Sequence, residues 1–423
     1  MGPGSEFHLT FLLIPLAVLA LFFLAQRFWV RRALALIQRI QSPNLRRTSN
    51  AVLYALVAFL VLVIVDRMFL HALPRGGAFS FLIAMAQLWL FGSFFGFLGI
   101  KVIQLLERLW NRIARWARPH GKPELASPAR RGFLRAASYV AGTVPLVAAA
   151  YGFGKERLDF KLHRVDIQIA NLPAGLDGLK IAQLSDIHIG DFMPADQVRR
   201  AVDLANSLGA DLAVVTGDFI TSNGDPLQQC IAELSRLRAP LGVWGCNGNH
   251  EIYADAEDLA EELFNHYGMR LLRQNNAELN WKGEAFNLIG VDYQRQHAPL
   301  GLEVPMLQTI EPLVRHDIPN ILLSHNPNSF RRAAELGIEL SLAGHTHGGQ
   351  VKVEIIDHSW SPARFITPFV AGLYQLPLHP HDAASNGTAK SALYVNRGLG
   401  TIGIPARLGV DPEISLLTLR RQS

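Results

Sequence analysis

Three apolar runs in the first hundred residues constrain this chain more than anything else in it. Leu9–Phe28, Ala51–Leu70 and Phe79–Ile100 are each close to the ~20 residues needed to cross a bilayer's hydrocarbon core. A segment surrounded by lipid must satisfy its backbone N–H and C=O groups internally, so runs of this length read as helices. Residues 8–100 are therefore expected to form three transmembrane helices, and any aqueous chemistry must lie further along. Met1–Phe7 (Met-Gly-Pro-Gly-Ser-Glu-Phe) reads as a cloning scar and is left out of fold reasoning. The third run carries Gly92, Gly96 and Gly99, small residues along part of one face that suit the seating of another helix. Asp66 and Arg67, at the end of the second run, are expected to snorkel to the interface.

Charge divides the chain at the same place. The sequence pI is about 9.3 and the net charge is +5 over 423 residues. Residues 27–47 hold six arginines and no acid, and residues 101–135 hold nine Lys/Arg against two Glu. Residues 1–135 sum to +13, which leaves −8 for residues 136–423. The basic charge thus belongs to the apolar part, which is a membrane-topology pattern and excludes a nucleic-acid surface as its explanation. Residues 101–132 form a basic connector expected on the cytoplasmic side. Within it, Val102–Trp116 has helical periodicity and reads either as a helix on an anionic membrane surface or as a continuation of the third span.

Phe133–Phe153 is a fourth, weaker apolar stretch. It follows Arg130-Arg131-Gly132-Phe133-Leu134-Arg135, which resembles a twin-arginine export motif. Residues 133–153 are accordingly a fourth transmembrane helix or a twin-arginine signal segment, with export machinery as a partner. The positive-inside rule makes both basic loops cytoplasmic. The expected protein is multi-pass in a bacterial inner membrane, with the bilayer as partner and its C-terminal domain on the periplasmic or extracellular side.

From about residue 160 short strands alternate with helices. Strands are expected over His163–Ala170, Leu179–Leu184, Asp211–Thr216, Gly242–Cys246, Asn320–Ser324 and Ile338–Ala343, with shorter ones in 271–293. Helices are expected over Asp196–Leu208, Pro226–Leu237, Ala256–Tyr267 and Phe330–Leu336. That alternation gives an α/β or α+β class with layered sheets over residues 160–423. Two cysteines, Cys230 and Cys246, are too few for a disulfide scaffold and read as small core residues.

Five polar blocks follow apolar strands: Leu184-Ser-Asp186-Ile-His188, Thr216-Gly217-Asp218, Gly248-Asn249-His250-Glu251, Leu323-Ser324-His325 and Gly344-His345-Thr346-His347. Singly, each is commonplace, since an Asp after a strand is often a turn residue or helix cap. Together they place carboxylate, amide and imidazole groups at strand ends, where loops present side chains on a rigid scaffold. Oxygen and imidazole donors without thiolate suit Mn, Fe or Zn. Two such ions roughly 3.5–4 Å apart can share a hydroxide that attacks phosphorus while they clamp a phosphoryl oxygen.

Over roughly Lys180–Leu419 the sequence resembles the calcineurin-like metallophosphoesterases, and these blocks carry the resemblance. It implies a four-layer sandwich of two mixed β-sheets flanked by helices, with two divalent metal ions at the strand ends. Asp186, His188 and His347 would hold one ion and Asn249, His325 and His345 the other, with Asp218 bridging. His250 would hold no metal and face the phosphoryl group. The membrane-anchored members are resembled through Tyr394-Val-Asn-Arg397-Gly-Leu-Gly400, Pro405-Ala-Arg407 and Pro412-Glu413-Ile414.

Arg397 and Arg407 are candidates for binding phosphate or a charged headgroup, with a salt bridge on the sheet as the other reading. His379-Pro380-His381-Asp382 reads as a solvated loop rather than a third metal site. Residues 355–390 read as a long loop region bearing Trp360, Phe365, Phe369 and Tyr374, either a locally packed insertion or an apolar lip beside the bilayer. The expected function is metal-dependent hydrolysis of a phosphoester or pyrophosphate, on a lipid or lipid-linked substrate. The alternatives are a phosphodiesterase or phosphatase for soluble substrates, a cytoplasm-facing pyrophosphatase acting on a nucleotide lipid such as UDP-2,3-diacylglucosamine, and a non-catalytic metal-binding scaffold.

Overall fold

The computed structural model of the chain describes residues 4–66, 73, 76–116, 128–170, 172–295, 306–355, 358–360, 362–365, 367–378 and 389–422. They divide into two compact units, Met1–Tyr151 and Gly152–Ser423.

The first unit is helical: α1 (Gly4–Ile37), α2 (Pro43–Val65), α3 (Gly77–Trp116) and α4 (Pro128–Gly154). Ser42 starts α2 by accepting the Leu45 N–H on its hydroxyl, and Pro43 takes the first helical position, where a missing N–H costs nothing. Asp66 does not snorkel. It is buried, and its carboxylate accepts the Leu73 N–H at 2.8 Å; Arg67 lies outside the described residues. Helix α3 runs unbroken through both the third apolar run and Val102–Trp116. At 1.5 Å per residue its 40 residues reach about 60 Å, roughly twice the hydrocarbon thickness, so the continuation reading holds.

The glycine face of α3 seats α4. A Cβ on Gly96 would lie 2.7 Å from the Gly142 carbonyl oxygen, and one on Gly92 would lie 2.7 Å from the Leu146 side chain. Among the described residues, three helical stretches are long and apolar enough to cross a membrane: Pro43–Val65, Gly77–Ala114 and Pro128–Leu158. The run expected over Leu9–Phe28 lies within α1, partly where only the backbone is described.

The second unit holds fourteen strands: β1 (Lys161–Ile169), β2 (Lys180–Leu184), β3 (Leu212–Thr216), β4 (Val243–Cys246), β5 (Arg270–Leu271), β6 (Asn275–Trp281), β7 (Glu284–Gly290), β8 (Asn320–Leu323), β9 (Leu340–Ala343), β10 (Val353–Ile355), β11 (His358–Trp360), β12 (Gly372–Pro377), β13 (Lys390–Val395) and β14 (Glu413–Arg421). One sheet has the order β1-β14-β2-β3-β4-β5, and the other β12-β13-β9-β8-β7-β6. Both are mixed: β2, β3, β4 and β5 run parallel while β14 opposes β2, and β13, β9, β8 and β7 run parallel while β12 and β6 oppose their neighbours.

The central strands β2, β3, β8 and β9 are short, mostly apolar runs because both their faces are buried, whereas β1, β6 and β12 alternate. Ile181, Leu212, Val214 and Leu417 of the first sheet pack against Phe286, Leu288, Ile321 and Leu342 of the second. The outer face of the first sheet is covered by α5 (Ala195–Asn206), α6 (Leu227–Leu234) and α8 (Glu257–His266), through Val198, Ala201, Ile231 and Phe264. The outer face of the second is covered by α9 (Phe330–Glu335) and flanking segments, through Ala333, Leu336 and Met306. Two mixed sheets flanked by helices is the expected four-layer architecture.

The β6–β7 hairpin turns at Lys282-Gly283, both at positive φ, as a two-residue hairpin loop demands. The expected loop 355–390 is more ordered than its composition implied, since β12 lies within it and pairs antiparallel with β13.

Candidate metal centre

Every candidate donor sits just past the C-terminal end of a central strand. From the first sheet, β2 leads to Asp186 and His188, β3 to Asp218, and β4 to Asn249, which opens the short helix α7 (Asn249–Tyr253). From the second, β8 leads to His325 and β9 to His345 and His347. Parallel neighbours end on the same side, so the two sheets bring these loops to one edge, where ligands bind in α/β structures.

The donor atoms converge. His188 Nε2 lies 3.1 Å from His347 Nε2 and 3.6 Å from Asp218 Oδ2, and His347 Nε2 lies 3.4 Å from Asp186 Oδ1. His325 Nε2 lies 3.1 Å from the same Asp218 oxygen and 3.9 Å from Asp186 Oδ1. Asp186, His188, Asp218 and His347 offer ligand atoms that all lie within 4.8 Å of one another; so do Asp218, His325 and His345. Asp218 is common to both groups. Asn249 Oδ1 is buried with no hydrogen-bond partner among the described residues. A buried acceptor left in that state costs about 1–3 kcal/mol unless something binds it. An orphaned amide oxygen beside clustered carboxylates and imidazoles is a donor set that fits divalent cations.

The imidazoles are oriented from behind. His325 Nδ1 faces the Thr216 carbonyl at 2.5 Å, and a carbonyl can only accept, so Nδ1 carries a proton and the lone pair of the neutral ring falls on Nε2. His188 Nδ1 is held by the Thr221 hydroxyl at 3.1 Å. Burial pushes His188 down to about 3 and His345 down to about 4, and holds His347 well below the usual imidazole range. Neutral imidazoles keep the lone pair a cation needs. Burial pulls His325 the same way, but the Asp218 and Asp186 charges overcome it and raise His325 to about 10. Burial pushes Asp186 up to about 6. Burial also pushes Asp218 up, and its imidazole neighbours, His325 foremost, bring it below the usual carboxylate range. The two carboxylates call for positive charge between them, which a metal ion supplies.

Strain and close approach are concentrated here. Asp186, His188, Asp218, His345 and His347 all have positive φ, between 49° and 74°. For residues other than glycine such backbone costs of order 1–3 kcal/mol each and persists where the surroundings over-determine it. A Cβ on Gly248 would lie 2.1 Å from Asp218 Oδ1, and one on Gly344 would lie 2.3 Å from Asp186 Oδ2. Only glycine lets these loops close on the carboxylates.

Two contributors escaped the sequence reading. Glu251 is wholly buried and takes four backbone N–H groups: Phe219 (2.8 Å) and Ile220 (3.2 Å) on Oε1, Asp218 (2.9 Å) and Gly248 (2.8 Å) on Oε2. It ties the Asp218 loop to the Asn249 loop. Burial and the Asp218 charge push it up to about 7, against those N–H groups. The signal was its place three residues after Gly248 at a helix start, the spacing of a capping box. Tyr293, just past β7, sets its ring 5.3 Å from His345 and 6.1 Å from His325; nothing in its sequence context marked it.

The remaining candidates are placed as follows. The His250 amide donates to Asp218 Oδ1 at 3.0 Å, and its Nδ1–H donates to the Thr221 carbonyl at 2.6 Å, leaving Nε2 without a hydrogen bond among the described residues. Its ring stands edge-on to His188 at 4.8 Å. Arg397 pairs with the buried carboxylate of Glu413 and lines a polar cavity of about 300 Å³ with Lys352, Arg364 and Tyr374. Arg407 is wholly buried and donates to the carbonyls of Arg397, Gly398 and Gly400, so it presents no guanidinium to solvent. Cys230 and Cys246 are buried free thiols, both pushed up by burial. His379–Asp382 lies outside the described residues, as do the side chains of Trp360 and Phe365. Phe369 packs against Phe330 and Tyr374 in a small cluster, as a locally packed insertion does.

Comparison with known proteins agrees with this geometry. Residues 179–349 match the family model described as calcineurin-like phosphoesterase. A Danio rerio protein named "Transmembrane protein with metallophosphoesterase domain" is 30% identical over 66% of this chain and 61% of its own length. A Bos taurus protein of the same name is 31% identical over 60% of this chain and 56% of its own length. The chain thus spans less than two thirds of these relatives. "Phosphodiesterase YaeI" of Escherichia coli is 26% identical over 69% of this chain and 98% of its own length. The chain carries a calcineurin-like metallophosphoesterase domain.

Proposed function

We propose that this chain is a membrane-anchored, metal-dependent phosphohydrolase that cleaves a phosphoester or pyrophosphate bond in a lipid or lipid-linked substrate. The observation that carries the reading is the meeting of donors from both sheets around Asp218. Asp186, His188, Asp218 and His347 would hold one divalent ion, and Asp218, Asn249, His325 and His345 the other. When bound, such ions lower the pKa of a water and polarise a phosphoryl oxygen. The chain's own residues do the rest. Thr216 and Thr221 fix the imidazole orientations, Glu251 holds two ligand loops in register, and His250 offers Nε2 to the phosphoryl group or the leaving oxygen. Mn, Fe and Zn all suit this donor set.

The helical unit supports anchoring, as do relatives named as transmembrane proteins. We place the chain as a multi-pass protein of a bacterial inner membrane. The basic loops and Arg130-Arg131 favour the domain on the periplasmic or extracellular side, delivered by twin-arginine export. The printed name of the Escherichia coli relative favours a second reading, a phosphodiesterase for soluble substrates.

The test strips metal from the full chain, restores Mn, Fe or Zn, and assays aryl phosphomonoester, aryl phosphodiester and extracted membrane lipids. Metal-dependent release from the lipids is expected. Metal bound without hydrolysis of any of these would reduce the centre to a binding scaffold. Protease added to intact spheroplasts should digest the C-terminal domain. Protection until the inner membrane is breached would put the domain inside and restore a nucleotide lipid as substrate.

A further inference from the structure

We infer that the helical unit holds one anionic phospholipid in a built site, its phosphate in a cationic basin on α1 and α3 and an acyl chain in an adjoining apolar slot. The inference concerns this unit alone and does not rest on the hydrolase reading.

Two cavities meet at Arg32. The first, about 660 Å³, lies among α1, α2, α3 and α4 and is walled largely by aliphatic and aromatic side chains such as Leu53, Val57, Leu60 and Met85. Its volume falls in the usual range for ligand pockets, about 300–1,000 Å³. Its polar atoms are largely spent on one another. Gln26 Nε2 donates to Ser93 Oγ at 2.9 Å, Trp29 Nε1 to the Ser93 carbonyl at 2.8 Å, and Trp89 Nε1 to Gln26 Oε1 at 3.1 Å. A slot with so few unmet hydrogen bonds favours a hydrocarbon occupant.

The second cavity, about 460 Å³, is lined by Arg27, Arg31, Arg32 and Lys101 with Leu24 and Phe97 among its apolar residues. The Arg32 guanidinium and the Lys101 ammonium both stand over the Phe28 ring, at 4.5 and 5.3 Å from its centroid. Among the described residues none of these four cations has a carboxylate partner. Four cations gathered without an acid repel one another unless an anion joins them. The ligand that satisfies basin and slot together has a phosphate joined to an acyl chain. Anionic phospholipids are concentrated in the cytoplasmic leaflet, the side to which the positive-inside rule assigns these residues.

The experiment reconstitutes the full chain in phosphatidylcholine vesicles with a graded fraction of phosphatidylglycerol bearing brominated chains, which quench Trp29 and Trp89 at the slot. Brominated phosphatidylcholine reports lipid that merely bathes the helices. A saturating quench by phosphatidylglycerol alone is expected, weakened about fivefold per cation removed in Arg32→Ala and Arg32→Ala/Lys101→Ala. Arg32→Lys should restore most of it, and Asp218→Ala should leave it unchanged. Equal, non-saturating quench by both lipids would overturn the site. So would a phosphatidylglycerol preference that survives loss of both cations. Displacement by millimolar glycerol phosphate would mean the basin takes free phosphate esters without the slot, and would overturn the lipid assignment.

Discussion

Glu251 accepts a 2.9 Å hydrogen bond from the backbone N–H of Asp218, through the oxygen that also accepts the Gly248 N–H. A carboxylate can serve four inward-pointing N–H groups because both its oxygens only accept. Glu251→Gln puts an amide NH₂ opposite two of them, and Glu251→Ala leaves all four without an acceptor. The expected losses are about 2 kcal/mol for Gln and 3 kcal/mol or more for Ala, read as a fall in Tm. Metal content at limiting metal should fall with them, although Glu251 is no candidate ligand. An unchanged Tm in Glu251→Gln would show that this carboxylate does not organise the loops.

Asp218 is the one candidate ligand shared by both donor groups. Asp218→Ala should therefore lower occupancy at both positions and bring turnover to background together. Metal analysis of the folded variant checks this. Two ions still bound per chain would remove Asp218 from the bridging position.

A third prediction lies away from the centre. Glu339 Oε2 accepts the Asn320 N–H at 2.8 Å and the Asn320 side-chain amide at 3.3 Å. Burial pushes Glu339 up to about 7, above the 4.5 of an ordinary glutamate. The folded state thus binds its proton more tightly than the unfolded chain. Its contribution is fully present below pH 4.5 and lost as pH rises through 7. Part of the residue reaches solvent, so the contribution is about 2 kcal/mol rather than the full shift. The Gln oxygen can accept both Asn320 bonds without titrating. Relative to wild type, Glu339→Gln should gain stability as pH rises from 4.5 to 8, by thermal unfolding at several pH values. A Tm difference independent of pH would refute the burial argument.

The strand-end blocks could be read from sequence because a buried parallel strand is an unbroken apolar run, and the first polar residue after it marks the sheet edge. What could not be read is what bends the chain there. The positive φ of Asp186, His188, Asp218 and His345 is adopted by only a few per cent of non-glycine residues, even though Asp and His reach it more often than most, so local sequence does not mark it and tertiary packing decides. Arg407 exposed the reverse weakness. A conspicuous arginine after a glycine-rich turn suggested a phosphate clamp, whereas the side chain is wholly buried and its Nε and Nη2 donate to main-chain carbonyls. Burial of a charged side chain depends on partners far along the chain, and periodicity does not carry that information. Asp66 misled in the same way, since its carboxylate takes the Leu73 amide beyond the helix end.

His250 separates a proton donor from a ligand. Its Nδ1–H is fixed on the Thr221 carbonyl, so any exchange with substrate must go through Nε2. His250→Ala should leave most metal in place, because its neighbour Asn249 supplies the amide oxygen and none of the clustered donors is lost. His345→Ala removes a clustered donor and should weaken metal and stop hydrolysis of every substrate. If Nε2 protonates the leaving oxygen, losing His250 should cost on the order of 10²–10⁴ in rate, and the cost should follow the leaving group. Nitrophenolate departs without a proton, so the defect should be small with a nitrophenyl ester. A glycerol or sugar alkoxide needs one, so the defect should be large there. Equal losses in kcat for both would exclude the acid role and leave His250 as a hydrogen-bond donor to phosphoryl oxygen, whose demand does not vary with the leaving group. Loss of metal equal to that in His345→Ala would instead make His250 part of the metal centre.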